Sequence, residues 1–204
     1  GQWLIQDLGG PLEKRMSEKG LKLSAKRIYS VESPLSGLAA STVSLGFRYS
    51  GSIVSDRGLV LTTSSPAVSL LEKLGEAGKE LLRDGFFAAT EQQEIPVPGE
   101  KIYTLAGVYD VSAEYKSLYR QLGDRQAAVS RLEAAYRESS GLLCLLNVYW
   151  DGEQSYLSVY KVYDDVRLVA SPPVSDCGFS LFRIYENGRP VITDRYLVVS
   201  LEGY

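Results

Sequence analysis

The spacing of hydrophobic positions changes period several times along the chain, and each change predicts an element. Leu4, Leu8, Leu12 and Met16 stand four apart between Trp3 and Gly20, one stripe of an amphipathic helix that Gly9-Gly10-Pro11 should break or kink. Ser24 to Ser30 reads as a second short helix and Ser33-Pro34 as a loop. From Ser41 the period falls to two: Val43, Leu45 and Phe47 alternate with Ser44, Gly46 and Arg48. Ser52-Ile53-Val54 then passes through Ser55-Asp56-Arg57-Gly58 into Leu59-Val60-Leu61-Thr62, a hairpin signal. Ser65-Pro66 follows as an N-cap with proline in the first helical position, ahead of a helix to about Asp84 carrying Leu70, Leu71, Leu74, Leu81 and Leu82.

The second half repeats this alternation of helix and strand periods. Ile95-Pro96-Val97-Pro98-Gly99 predicts an extended connector, Lys101 to Val111 a strand, and Ser112 to Ser139 a second long helix around Gly123. Leu142 to Trp150 and Ser155 to Tyr163 read as strands around the turn Asp151-Gly152-Glu153-Gln154. Further strands are expected at Asp165 to Ala170, Phe179 to Tyr185, near Val191 to Thr193, and at Tyr196 to Leu201. About eight short strands with two long helices between them predict a mainly β or α+β fold built on one small antiparallel barrel of six to eight strands. The expected division is an N-terminal helical arm over residues 1–40 and a barrel with helical insertions over 41–204.

Composition narrows the function. With 22 Lys+Arg against 25 Asp+Glu, the net charge of -3 gives no electrostatic footprint for nucleic acid or anionic lipid, so neither is an expected partner. No apolar run is long enough to span a membrane, and the first residues show no cationic region followed by an apolar stretch. The two cysteines, Cys144 and Cys177, permit one disulfide and lack metal-ligand spacing; Cys144 sits in an apolar run and is expected in the core as a free thiol. The count that excludes most is zero histidines. Histidine is the usual general base for a Ser or Cys nucleophile, so every Ser-His and Cys-His mechanism carried by these residues is out, as are His-ligated zinc sites. No cofactor and no metal site is expected.

Several ordered motifs carry a family resemblance. The chain contains Gly1-Gln2-Trp3-Leu4, Gly20-Leu21-Lys22-Leu23-Ser24, Ile28-Tyr29-Ser30, the hairpin Gly51 to Thr62, and Asp84-Gly85-Phe86-Phe87. Then come Glu94-Ile95-Pro96-Val97-Pro98-Gly99, Val162-Tyr163-Asp164-Asp165-Val166-Arg167-Leu168-Val169-Ala170-Ser171-Pro172-Pro173, and Phe179-Ser180-Leu181-Phe182-Arg183-Ile184-Tyr185. In that order they resemble the N-terminal barrel of bacterial serine dipeptidyl peptidases of the 7 and 11 type, in the chymotrypsin-like clan. The resemblance places the family's catalytic His, in its T-N-H-H-C step, at Ser65 of Thr62-Thr63-Ser64-Ser65-Pro66. The family's catalytic Asp, which precedes its F-S step, falls at Gly178, with Asp176 two residues early. The segment that in the family clamps the substrate's amino terminus is absent between Pro173 and Gly178, and the family's barrel disulfide positions hold Ser50 and Pro66. In the family a helical lid and a second barrel that carries the nucleophilic Ser would follow Tyr204, and both are missing from these residues.

The resemblance therefore implies a pseudo-peptidase, not an enzyme, exported to the periplasm or cell surface. A protein or peptide partner, or self-association, is expected to cover the open barrel face. The alternative reading is an unconventional hydrolase, with Ser64 or Ser65 using Lys73 as a desolvated base, or a purely structural exported domain. Asp164-Asp165 and Glu91 with Glu94 are read as solvated surface rather than a catalytic or calcium-binding pair. A candidate ligand face is the aromatic group Tyr149, Trp150, Tyr156 and Tyr160, joined in sequence by Tyr163.

Overall fold

A computed structural model of the chain describes residues 4–30, 33, 35–173, 175 and 178–198. Trp3, Asp176, Cys177 and the end of the strand expected to reach Leu201 lie outside the described residues. These fall into two compact units, residues 1–37 with 104–162 and residues 38–103 with 163–204.

The first unit opens with a 3-10 turn at Ile5–Asp7 and α1, Gly10–Glu18, with Pro11 in its first turn. The helix expected over Trp3 to Gly20 is thus interrupted where Gly9-Gly10-Pro11 stands. After α2, Ala25–Ile28, the chain enters the second unit. There β1, Thr42–Leu45, and β2, Tyr49–Ile53, pair antiparallel around a turn at residues 46–48. Phe47 occupies that turn with φ 55, its ring 4.1 Å from that of Tyr103 and 47% exposed, so the period-two pattern ends at Leu45. Strand β3, Leu59–Thr63, pairs with β2 as the hairpin signal predicts.

The single helix expected from Ser65 to Asp84 is two helices, α3, Ser65–Leu71, and α4, Glu76–Asp84, joined by a 3-10 turn at Glu72–Leu74. Gly75 breaks the run because it takes φ 66, which a side chain resists. The proline is in the first turn, one place later than expected, with Ser64 as the cap residue. Short strands β4, Phe86–Phe87, and β5, Ile95–Pro96, precede the long β6, Ile102–Asp110, along which the chain returns to the first unit.

Two helices also replace the second expected long one: α5, Ser112–Leu122, and α6, Arg125–Ser140. Gly123 closes α5 in the left-handed region, and the Asp124 carboxylate accepts from the N–H groups of Gln126 and Ala127 to start α6. Strands β7, Leu143–Tyr149, and β8, Gln154–Tyr163, form the next hairpin. Then β9, Asp165–Ser171, β10, Phe179–Glu186, and β11, Arg189–Pro190, complete the second unit. The strand expected near Val191 is displaced to Arg189–Pro190, and Tyr196 to Val198 forms no strand, although Leu197 N–H donates to the Ile53 carbonyl.

In the second unit the strand order is β4-β9-β10-β3-β2-β1, with β5 on β9 and β11 on β10; in the first it is β6-β8-β7. The class is as expected, mainly antiparallel sheet with several helices, but the sheet is open where a closed or nearly closed barrel was predicted. The edge strand β4 is two residues long and offers little ladder to a further strand.

Each unit has its own core. Leu45, Val60, Leu71, Leu168, Phe182 and Ile184 are fully buried together in the second, and Tyr115, Cys144 and Leu157 anchor the first. Each large side chain so buried contributes about 1.5–3 kcal/mol. Alternation decides which residues enter: Val60 and Thr62 of β3, and Ser180, Phe182 and Ile184 of β10, point inward. Cys144 is buried as a free thiol, as its apolar setting implied.

Candidate functional site

The positions singled out for catalysis converge at one end of the β3–β10 ladder. Thr63 pairs with Phe179, so the residues just beyond, Ser64-Ser65 and Gly178, leave the sheet side by side. The Ser64 N–H donates to the Gly178 carbonyl at 3.0 Å. Two buried hydroxyls brace this end: Ser180 Oγ donates to the Thr63 carbonyl at 2.6 Å and Thr62 Oγ1 to the Ser50 carbonyl at 2.8 Å. With their protons spent on backbone oxygens, these hydroxyls serve the ladder rather than a reaction.

Ser65 stands exposed at the first turn of α3, and Gly178 is exposed with open space where a side chain would begin. A Cβ built at Gly178 meets no described atom within 4 Å. Ser65 and Gly178, the two positions that the resemblance assigns to a His and an Asp, thus lie side by side at the end of one ladder. Lys73 does not supply a base: eight residues on, about 12 Å along a helix axis, it lies exposed in the 3-10 turn.

Beside Gly178 runs a groove of about 400 Å³ lined mostly by apolar side chains, among them Phe86, Phe87, Pro172, Pro173 and Phe179. Phe87 is 74% exposed at its mouth. Sequence reading treated these residues as family motifs alone; the consecutive phenylalanines at a turn were the available signal.

The acidic residues divide among different partners. Glu91 pairs with Arg57 at 2.6 Å, and Asp165 takes both arms of Arg167 at 3.0 Å. Glu94 is buried, contrary to the surface reading, and accepts from Arg183 Nε at 2.8 Å and from the Tyr185 hydroxyl at 2.7 Å. The Arg167 guanidinium lies 3.8 Å over the Tyr185 ring. Burial first, and then the bond to Glu94, hold the Tyr185 phenol well above its ordinary pKa. Three separate motifs thus meet in one buried polar cluster that serves the fold. Among the described residues no group of His, Cys, Asp and Glu side chains is placed to hold a metal ion.

Tyr149, Trp150 and Tyr156 gather at the tip of the β7–β8 hairpin, with ring centroids 6.0 and 6.5 Å from Tyr149. Tyr160 lies farther along β8, opposite Leu143.

Comparison with known proteins places this framework. The family model for peptidase S46 matches residues 1–204. The chain belongs to the peptidase S46 family. Dipeptidyl-peptidase 7 of Porphyromonas endodontalis is 28% identical over 238 residues, covering 100% of this chain and 29% of that protein. The Asp/Glu-specific dipeptidyl-peptidase of Flavobacterium psychrophilum is 25% identical, covering 100% of this chain and 33% of its own length. The crystal structure of Porphyromonas endodontalis DPP11 superposes with a TM-score of 0.86 at 25% identity, covering all of this chain and 34% of that one. The chain therefore spans about a third of the length of the S46 relatives it matches.

Proposed function

We propose that this chain is a non-catalytic member of the peptidase S46 family, an exported module that binds a protein or peptide without hydrolysing it. The observation that carries this reading is the pair of positions at the end of the β3–β10 ladder. The resemblance assigns them the general base and its orienting carboxylate, and they hold Ser65 and Gly178 in a chain with no histidine. A serine peptidase that loses one triad member keeps only a residual on the order of 10³ to 10⁴ over water. Two absent members leave nothing to activate a nucleophile, whatever supplies one.

Binding survives that loss more readily, because it needs a surface rather than a proton relay. The apolar groove beside Gly178 supports this half of the reading, with Phe87 held in solvent at its mouth. Kinship with bacterial dipeptidyl peptidases supports the exported part of the reading. No helix among the described residues is long and apolar enough to cross a membrane.

The test uses the full-length product of the gene with a panel of dipeptide aminomethylcoumarins that includes acidic second residues. Release of fluorophore at the buffer rate is the expected result. Saturable hydrolysis at about 1 s⁻¹ or faster, in the ordinary range for enzymes, overturns the proposal.

A further inference from the structure

In the first unit, one face of the β7–β8 hairpin packs Cys144, Leu146, Leu157 and Val159 into the core with Tyr115, Ala128 and Leu132 of the helices. The opposite face, by the two-residue period, carries Tyr149 and Tyr156, diagonal neighbours across the pair Tyr149–Gln154. Trp150 follows at the tip, 49% exposed. The Tyr149 ring is tilted 46° to that of Trp150 and 56° to that of Tyr156, so the three are splayed and do not cover one another's faces.

The tip is built at a cost. Trp150 and Asp151 take φ 45 and φ 58 in succession, a pair of conformations that hairpins ordinarily give to Asn-Gly. It is nevertheless pinned in place. The Asp151 carboxylate pairs with the Arg125 guanidinium, Glu153 pairs with Lys116 at 3.1 Å, and a Cβ at Gly152 would press to 3.0 Å from the Tyr115 ring. Strained backbone of this kind clusters at functional sites.

Two carboxylates give the cluster its sign. Asp110 ends β6 beside Tyr156: the next residue's N–H, that of Val111, donates to the Ser155 carbonyl at 2.9 Å. Its contacts are the N–H and hydroxyl of Ser112 at 3.0 and 2.5 Å. Asp7 accepts from the Leu4 N–H at 3.2 Å and also lies within electrostatic range of Tyr156. Among the described residues neither carboxylate has an ion-pair partner. Splayed π faces beside uncompensated negative charge attract a cation, guanidinium above all.

We infer that Tyr149, Trp150 and Tyr156, with Asp110 and Asp7, form a receptor for a cationic side chain, the guanidinium or ammonium of an Arg or Lys in a peptide. The inference rests on the binding-module reading only in naming a peptide as the carrier.

The test is the anisotropy of a fluorophore-labelled Arg-Arg peptide capped at both ends, set against the same peptide with citrulline in place of arginine. Capping removes the free amino terminus that a dipeptidyl cleft would grip, so this result and the hydrolysis result are independent. Saturable binding of the Arg peptide is expected, with the citrulline peptide about tenfold weaker or worse. Trp150→Asn and Asp110→Asn each weaken the Arg peptide about five- to tenfold. Asn keeps an acceptor for Ser112 at Asp110 and suits the left-handed turn at Trp150, and cooperative thermal melts no lower than that of the natural chain show that both variants fold. Equal binding of the citrulline peptide, unchanged binding by both folded variants, or no saturable binding of the Arg peptide each overturns the inference.

Discussion

Glu94 shows how far a residue's role can depart from its appearance in the sequence. Beside Glu91 it reads as half of an acidic surface pair, yet the two carboxylates serve different cations and only Glu94 is buried. No local pattern marks that difference, because Arg183 and Tyr185 reach Glu94 from about ninety positions away in sequence. Glu94→Ala strands a largely buried guanidinium and is expected to destabilise the fold by about 3–5 kcal/mol in urea unfolding. Tyr185→Phe removes one donor from the same carboxylate and is expected to cost about 1–3 kcal/mol near neutral pH. Because the phenol's pKa is raised in the folded chain, its bond to Glu94 stabilises the fold at every pH below about 10 and is lost as pH climbs past that value. Stability measured across the alkaline range should fall less steeply in Tyr185→Phe than in the natural chain. At Trp150 the sign reverses: Trp150→Asn relieves a left-handed tryptophan and is expected to raise stability by about 1 kcal/mol while it weakens cation binding. A gain in melting temperature coupled to a loss of Arg-peptide affinity separates a strained binding residue from a merely structural one.

At the scale of elements, periodicity located nearly every strand and both long helical stretches, since burial on one face imposes the pattern wherever an element packs. It missed the interruptions at Gly75 and Gly123, because apolar residues recur at helical spacing on both sides of each break. It also missed that Phe47 turns out of the strand pattern, its ring resting on Tyr103. The first interruption has a consequence for packing: α4 folds back on α3 so closely that a methyl group at Gly78 would fall on the Leu71 carbonyl oxygen. Gly78→Ala is therefore expected to lower the melting temperature by several degrees despite alanine's better helix propensity, a loss of about 2 kcal/mol or more. Were Gly78→Ala neutral or stabilising, the close approach of α3 and α4 would be contradicted.

For the whole molecule, what the sequence carried best was kinship. Ordered motifs carry the family resemblance along the chain, and the family model matches residues 1–204. The structure divides those motifs by role. Glu94, Arg167, Arg183 and Tyr185 form a buried cluster that holds the fold, whereas Phe86, Phe87, Pro173 and Phe179 line a groove beside Gly178. That division was not legible in sequence, because both kinds of residue belong to equally regular motifs. Closure of the barrel was not legible either, since strand count alone does not say whether the first and last strands pair. The central claim is that Ser65 and Gly178 mark a framework emptied of its chemistry. It is tested most directly by treating the full-length gene product with a fluorophosphonate probe, with Porphyromonas endodontalis dipeptidyl-peptidase 7 as the positive control. The account predicts labelling of the control and none of this protein, because Ser65 rather than a histidine stands at the position the resemblance gives to the base; specific, stoichiometric labelling of this protein would contradict it.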